Sequence, residues 1–214
     1  MKLVKESLKD KVYNLIKERI FSREYKLGET LVIAHLSEEL EVSNTPIREA
    51  LSHLYSEGLL TQEGTSKYKV ITLSEKKIID LNQAILFLLR GSLRICLKEN
   101  SIDNLVHMLE EAYNRHKYLY ESNVKFDYKY IEISLNFDRQ FVIASENTYL
   151  IDMFEYLFPQ LVLASVYNNK NYKNIHMEEH HKLFESIKNS DITTTFDLLK
   201  LHFGKDFSSM EFDF

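Results

Sequence analysis

The chain has 214 residues, of which 44% are hydrophobic and 12% aromatic, enough to bury a core in each of one or two domains. Five Gly and two Pro are few for a sandwich or a barrel, so the composition favours a mainly helical protein. The single cysteine, Cys96, excludes an internal disulfide, and the N-terminus lacks the apolar run of a secretion signal, so we expect a cytoplasmic protein.

The net charge of −5 argues at first against nucleic acid, but the charge is unevenly distributed. Residues 1–73 contain 11 Lys and Arg and 11 Asp and Glu, whereas residues 74–214 contain 16 and 21. A neutral N-terminal part can still bind DNA if its cations converge on one face. Arg90 and Arg94 interrupt the most apolar segment, so we expect no membrane span, which needs about 18 apolar residues.

The first 60 residues predict three helices. The first covers residues 5–22 and supports the next two, which lie within 31–60 and are joined by a tight turn. Ser43 or Asn44 can cap the last helix, Pro46 fits its first turn, and Gly58 supplies a left-handed stop. This spacing is typical of a helix-turn-helix.

A predicted hairpin follows the third helix. Residues 59–62 and 68–73 are β-prone, and the polar tip between them contains Gly64. Three helices followed by a hairpin indicate a winged helix, whose third helix enters the major groove while the hairpin tip reaches the flanking backbone or minor groove.

Every segment after residue 73 is predicted to be helical. The predicted helices cover residues 74–98, 101 or 103 to 120, 125–145, 148–167, 174–189 and 191–209. The fold class is therefore mainly α, with an N-terminal winged helix-turn-helix at 1–73 and a C-terminal all-α bundle of about six helices at 74–214.

Candidate DNA contacts lie at the start of the third helix and at the hairpin tip. We expect Arg48 to contact a phosphate or a base edge, the alternative being a salt bridge to Glu49 or Glu57. Ser43 and Thr45 could bind phosphate, although capping alone would explain Ser43. At the hairpin tip the candidate DNA contacts are Gly64, Thr65 and Lys67. The alternatives are that Gly64 is only a turn glycine and that the other residues are only solvated residues of the hairpin edge.

The stretch VSNTPIREAL at 42–51, with SEGLL after it, resembles the GntR family of bacterial transcription regulators. The helical part resembles the FCD domain of the FadR subgroup. Its matching segments are 137–147, Glu179-His180, 186–191 and His202. The resemblance implies a homodimer on a two-fold symmetric operator, and a helical domain that binds a small effector, such as a carboxylate, and thereby changes operator affinity. Repression is the mode expected by analogy.

Two departures from the family pattern concern the DNA base that is preferred and the effector that is bound. Asn44 stands where the family usually has arginine, and Asn pairs with adenine where Arg prefers guanine, so we expect an altered base preference. The family often has an R-x-x-L-E segment where this chain has residues 85–89, and its charged residues are largely absent here. Arg90 follows this segment directly. Arg90 is retained as a candidate effector contact, but the family's effector class does not carry over.

A third departure concerns metal. The resemblance implies that Asp138, His180 and His202 hold a divalent cation such as Zn²⁺ and contact the effector, but the fourth ligand position, one turn after Asp138, is Val142. Three ligands with water or an effector carboxylate could hold the ion. The alternative is a metal-free pocket in which His180 and His202 hydrogen-bond an effector. His176 and His181 also invite a metal interpretation, against that of an exposed helix rich in His and Glu.

These patterns predict a DNA-binding transcriptional regulator that responds to a small effector, and not an enzyme, since we find no nucleophile elbow or phosphate loop. Two alternatives stay open. One is a helical metal-dependent protein or enzyme that uses Asp138, His180 and His202. The other is an adaptor that uses the winged helix for protein contacts.

Overall fold

The computed structural model describes residues 7–122, 124–168 and 171–203. The chain divides into two compact units, Met1–Leu73 and Ser74–Phe214.

The first unit combines three helices with a small sheet. The helices are α1 (Leu8–Phe21), α2 (Ile33–Glu39) and α3 (Asn44–Ser56), and the strands are β1 (Thr30–Val32), β2 (Leu60–Gln62) and β3 (Lys67–Val70). The sheet is antiparallel with the order β1-β3-β2, and it pairs Leu31 with Tyr68 and Thr61 with Lys69. This arrangement is the winged helix that the sequence predicts.

The core of this unit lies where α1 packs against α3. Their apolar faces are almost completely buried, and the largest contributions come from Ile16, Ile20, Ile47, Leu51 and Leu54. Burying each such side chain contributes about 1.5–3 kcal/mol, so this contact fixes α3 in the unit.

Three local features can be compared with the sequence predictions. Gly58 has a φ of 71°, which confirms the left-handed stop after α3. Ser43 occupies the N-cap position of α3, but its side chain makes no capping hydrogen bond to this fully described helix, so the predicted cap is wrong in that respect. The strand β1 was not predicted; it extends the expected hairpin to three strands by pairing with β3.

The second unit contains six helices within the described residues. They are α4 (Glu75–Lys98), α5 (Ile102–Glu121), α6 (Tyr128–Ala144), α7 (Thr148–Tyr167), α8 (Tyr172–Lys188) and α9 (Ile192–Phe203). The Ser74 side chain accepts a hydrogen bond from the Lys77 amide and begins α4 as predicted. The predicted continuation of the last helix to residue 209 lies outside the described residues.

The helix α6 is central to this unit. It packs against α4, α5, α7 and α8, and α8 packs in turn against α5 and α9. Over the described ranges, one helix, α7, is long and apolar enough by composition to cross a membrane. Its packing against α4 and α6, and the ion pair between Arg139 and Glu155, are typical of a bundle helix.

Candidate functional site

The surface formed by α3 and the β2–β3 tip is the candidate nucleic-acid interface. All the residues predicted to contact DNA are exposed there, namely Ser43, Asn44, Thr45, Arg48, Gly64, Thr65 and Lys67. The start of α3 therefore offers two hydroxyls, an amide and a guanidinium to solvent.

Arg48 links the two parts of this surface. Its Nη1 donates a hydrogen bond of 2.6 Å to the backbone carbonyl of Thr65 at the hairpin tip. The alternative partner Glu57 instead contacts α1, through Lys17 at 3.4 Å and the hydroxyl of Tyr13 at 2.5 Å. Arg48 thus holds the tip close to α3 and keeps further guanidinium donors for a phosphate or a base.

Gly64 is required by the backbone of the tip. Its φ is 77°, and a Cβ added there would meet nothing within 4 Å. The glycine is therefore explained by the left-handed conformation and not by crowding.

A second candidate site is buried in the helical unit. Asp138 from α6, His180 from α8 and His202 from α9 converge there. Asp138 Oδ2 lies 3.4 Å from His180 Nε2, and Asp138 Oδ1 lies 3.3 Å from His202 Nε2. Asp138 and His180 are fully buried and His202 is 6% exposed.

The atoms that face one another in this cluster lack hydrogen bonds. Within the described part of the chain, both carboxylate oxygens of Asp138 and the Nε2 atoms of His180 and His202 have no hydrogen-bond partner. Buried polar atoms of this kind are rare and costly. A buried carboxylate with an imidazole nitrogen close to each of its oxygens is a set of ligand types suited to a cation.

Burial and charge shift the pKa values of these groups in different directions. Burial would raise the pKa of Asp138, but the charges of His202 and His180 outweigh it and hold that pKa below its usual range. Burial lowers the pKa of His180. For His202 the desolvation is outweighed by Asp138 and Glu179, which raise its pKa to about 9. In the absence of a bound cation, His202 is therefore protonated and forms an ion pair with Asp138.

Each histidine of the cluster has a contact on its outer side. His202 Nδ1 lies 2.6 Å from Glu179 Oε2, and His180 Nδ1 lies 3.2 Å from His116 Nδ1. The other nitrogen of His116 lies 3.0 Å from the hydroxyl of Tyr130. Burial and the nearby His180 lower the pKa of His116 to about 3, so it is neutral.

His176 brings a third imidazole to the cluster. Ligand nitrogens of His176, His180 and His202 lie within 4.8 Å of one another, and His176 stacks on Tyr172 with ring centroids 3.8 Å apart. His176 lies one turn before His180 on α8. Val142, at the family's fourth ligand position, is buried and apolar.

A cleft of about 420 Å³, including its open mouth, adjoins this cluster. His176 and His202 lie in its wall. Its other polar lining residues are Asn82, Ser165 and Asn168, and its apolar lining residues are Ile78, Leu135, Leu161, Ala164 and Phe203. The mixture of apolar and polar lining residues suits a small molecule with a few polar groups.

The predicted effector contacts are only partly brought to this cleft. Among its described lining residues only His202 was predicted, whereas Asp138 and His180 belong to the buried cluster behind it. Arg90 is placed elsewhere, because its guanidinium packs 5.3 Å from the ring of Phe196 on α9.

Sequence reasoning missed His116 and Asn82. Their helices offer no local motif, and the residues meet the cluster or the cleft only through packing. His176 did carry a signal, its spacing of four residues from His180, although the sequence alone favoured an exposed helix rich in His and Glu.

Comparisons with known proteins agree with this geometry. The family described as "Bacterial regulatory proteins, gntR family" matches residues 8–68. An uncharacterized HTH-type transcriptional regulator of Bacillus subtilis (strain 168), YdhC, is 22% identical over 196 residues, covering 91% of this chain and 87% of YdhC.

Two solved structures share the fold over nearly the whole chain. One is that of Lar, described as controlling the expression of the Listeria monocytogenes agr system, with a TM-score of 0.69, 18% identity and 95% of each chain covered. The other is E. coli McbR/YncC, with a TM-score of 0.68, 22% identity and coverage of 92% of this chain and 94% of that one.

The fold and the exposed α3 surface define a winged-helix DNA-binding protein with a helical C-terminal unit. The winged-helix domain, residues 8–68, matches the GntR family of bacterial regulatory proteins.

Proposed function

We propose that this protein is a cytoplasmic repressor of the FadR subgroup, without enzymatic activity, whose operator affinity is changed by a small effector bound in the helical unit. The observation that carries the DNA-binding part is the exposed α3 start held beside the hairpin tip by Arg48. These donors can reach phosphates and base edges together.

Binding to the DNA upstream of its own gene tests this proposal. We expect specific binding that weakens with salt, because phosphate contacts release counterions. Arg48→Ala should weaken it by about 1–3 kcal/mol, while Arg94→Ala in the helical unit serves as a control of equal charge change. Salt-independent binding, or equal effects of the two variants, would contradict a DNA-reading role for α3.

A divalent metal, such as Zn²⁺, fits the buried cluster as part of the proposed sensing site. Tetrahedral coordination at Zn–N distances of about 2.0–2.1 Å places neighbouring ligand atoms about 3.3–3.4 Å apart. The distances of 3.3 Å from Asp138 Oδ1 to His202 Nε2 and 3.4 Å from Asp138 Oδ2 to His180 Nε2 each agree with that spacing, through different oxygens of one carboxylate. The ion would supply a Lewis-acidic centre beside the cleft, where a carboxylate of the effector could bind it.

We further propose that His176 supplies the ligand that Val142 cannot. Its nitrogen lies within reach of His180 and His202, and it borders the cleft. Zn²⁺ affinity, measured by competition with a chelator, should fall in His176→Ala. It should be unchanged in the control His107→Ala, since His107 is exposed on α5.

A second variant makes this test sharper. Adding Val142→His to His176→Ala restores an imidazole one turn after Asp138, so the double variant should regain part of the lost affinity. Wild-type affinity in His176→Ala would exclude His176 as a ligand.

The proposed regulation is a population shift. An effector that binds one conformational state of the helical unit more tightly favours that state, and operator affinity changes by the same differential free energy. The neutral polar groups of Asn82, Ser165 and Asn168 beside the metal ligands support a small effector with hydroxyl or amide functions in addition to its metal-binding group. Analysis of the small molecules that copurify with the protein, followed by their titration into the DNA complex, tests this part.

A further inference from the structure

The outer side of His180 faces another histidine, which is an unusual partner for a candidate metal ligand. Metal-bound histidines usually donate their second N–H to a carboxylate or a backbone carbonyl, and this contact fixes the ring and its tautomer. Glu179 has that position for His202. For His180 the nearby group is the imidazole of His116, at 3.2 Å between the two Nδ1 atoms.

The proton positions along this chain of contacts follow from hydrogen-bond chemistry once Nε2 of His180 holds a metal. Its Nδ1 must then carry the proton and donate it, so Nδ1 of His116 must accept. A neutral imidazole carries one proton, which for His116 then lies on Nε2 and is donated to the hydroxyl oxygen of Tyr130, 3.0 Å away. The geometry therefore permits a single direction of donation, from His180 to His116 to Tyr130.

Packing holds the members of this chain in place. His116 is fully buried and Tyr130 is 2% exposed. The ring of Phe137 stacks on His180 with centroids 4.5 Å apart. With its ring fixed on one face by Phe137 and its Nδ1 fixed by His116, His180 directs Nε2 at Asp138.

We propose that His116 is a positioning residue for the metal site: as the Nε2–H tautomer, anchored by Tyr130, it accepts the Nδ1–H of His180 and thereby directs Nε2 of His180 at the ion. This inference rests on the proposed metal site. It adds to that site a residue of α5, which contributes no ligand itself.

Two substitutions of His116 separate hydrogen bonding from packing. His116→Leu fills space but accepts no hydrogen bond, so Zn²⁺ affinity should fall about 10–100-fold. His116→Asn places an amide oxygen near the former Nδ1 and keeps an acceptor, so its affinity should stay within about 10-fold of wild type and exceed that of the Leu variant. The control is His107→Leu, on the same helix but exposed.

The tautomer of His116 can be measured on the wild-type protein, so this test does not depend on the folding of a variant. Long-range ¹H–¹⁵N spectra of the zinc-loaded full chain should show His116 protonated on Nε2 and not on Nδ1. The opposite tautomer would overturn the proposal, as would equal affinity losses in His116→Leu and His116→Asn.

The outcomes distinguish this inference from the metal proposal. If the wild-type protein takes up no Zn²⁺ or Co²⁺, the metal proposal itself is wrong. If the wild type binds Zn²⁺ and a folded His116→Leu variant, checked by circular dichroism, binds it equally well, only the role of His116 is wrong.

Discussion

At the scale of single residues, His202 connects metal binding to pH. Asp138 and Glu179 raise its pKa to about 9, so in the metal-free protein His202 carries a proton at neutral pH. A metal ligand must be neutral, so the ion has to displace that proton. The affinity for Zn²⁺ should therefore rise with pH up to about pH 9 and weaken as pH falls, by about tenfold per unit for one displaced proton.

Competition titrations over a range of pH, together with the proton release measured in weakly buffered solution, check this expectation. Glu179→Gln removes one of the carboxylates that raise the pKa of His202. The Zn²⁺ affinity of this variant should therefore stop rising with pH at a lower pH than that of the wild type. Zn²⁺ affinity that is constant between about pH 6 and 8 would contradict the ionic Asp138–His202 pair.

Asn44 is the residue at which base preference is expected to differ from that of relatives. It is exposed in the first turn of α3, one turn before Arg48. Because Asn pairs with adenine and Arg with guanine, Asn44→Arg should change the preferred operator at one position of each half-site, by about 1–3 kcal/mol. Selection of binding sites from a random DNA pool measures this, and an unchanged preferred site would exclude a base contact by Asn44.

At the scale of elements, the start of α6 positions Asp138 and Tyr130. The Asp127 side chain accepts hydrogen bonds from the amides of Lys129 and Tyr130, at 3.0 and 3.1 Å. Such N-caps satisfy helix donors that otherwise lack partners. The cap therefore stabilises the first turn of the helix that carries the central acid of the cluster.

Removing this cap tests its contribution to stability. Asp127→Ala should lower the free energy of unfolding of the helical unit by about 0.5–2 kcal/mol. Asp152→Ala, at an exposed position in the second turn of α7, should change it by less than about 0.5 kcal/mol. Because the chain has no Trp, unfolding by urea is followed by circular dichroism. Equal effects of the two variants would show that the cap contributes nothing.

At the scale of the whole molecule, the proposed mode of binding requires two winged helices on one operator. A two-fold symmetric site matches a protein dimer, and each half-site binds one α3. Light scattering should therefore give twice the chain mass of 25.4 kDa at the concentrations that saturate the operator. A monomer under those conditions, with full DNA binding, would contradict the dimeric mode.

The winged helix was largely predictable from the sequence because its signals are local. Pro46 in the first turn of α3 and the left-handed Gly58 after it act over a few residues, and so does the Gly64 tip. The strand β1 was missed, since three residues carry too little pattern and its partner Lys67–Val70 lies far along the chain. Ser43 shows the limit of local rules, because a good capping residue can occupy the N-cap without making the bond.

In the helical unit, too, some features follow from the local sequence and others depend on packing. Apolar periodicity and the Ser74 cap determine its helices from the sequence alone, and the family resemblance singled out Asp138, His180 and His202. The contacts of these residues depend on packing, which brings α5, α6, α8 and α9 together. Only the tertiary structure showed that His116 contacts His180 and that Arg90 packs against Phe196 and not at the predicted effector site. Local hydrogen bonds and apolar spacing specify helices, whereas the meeting of side chains from distant helices is decided by how those helices pack.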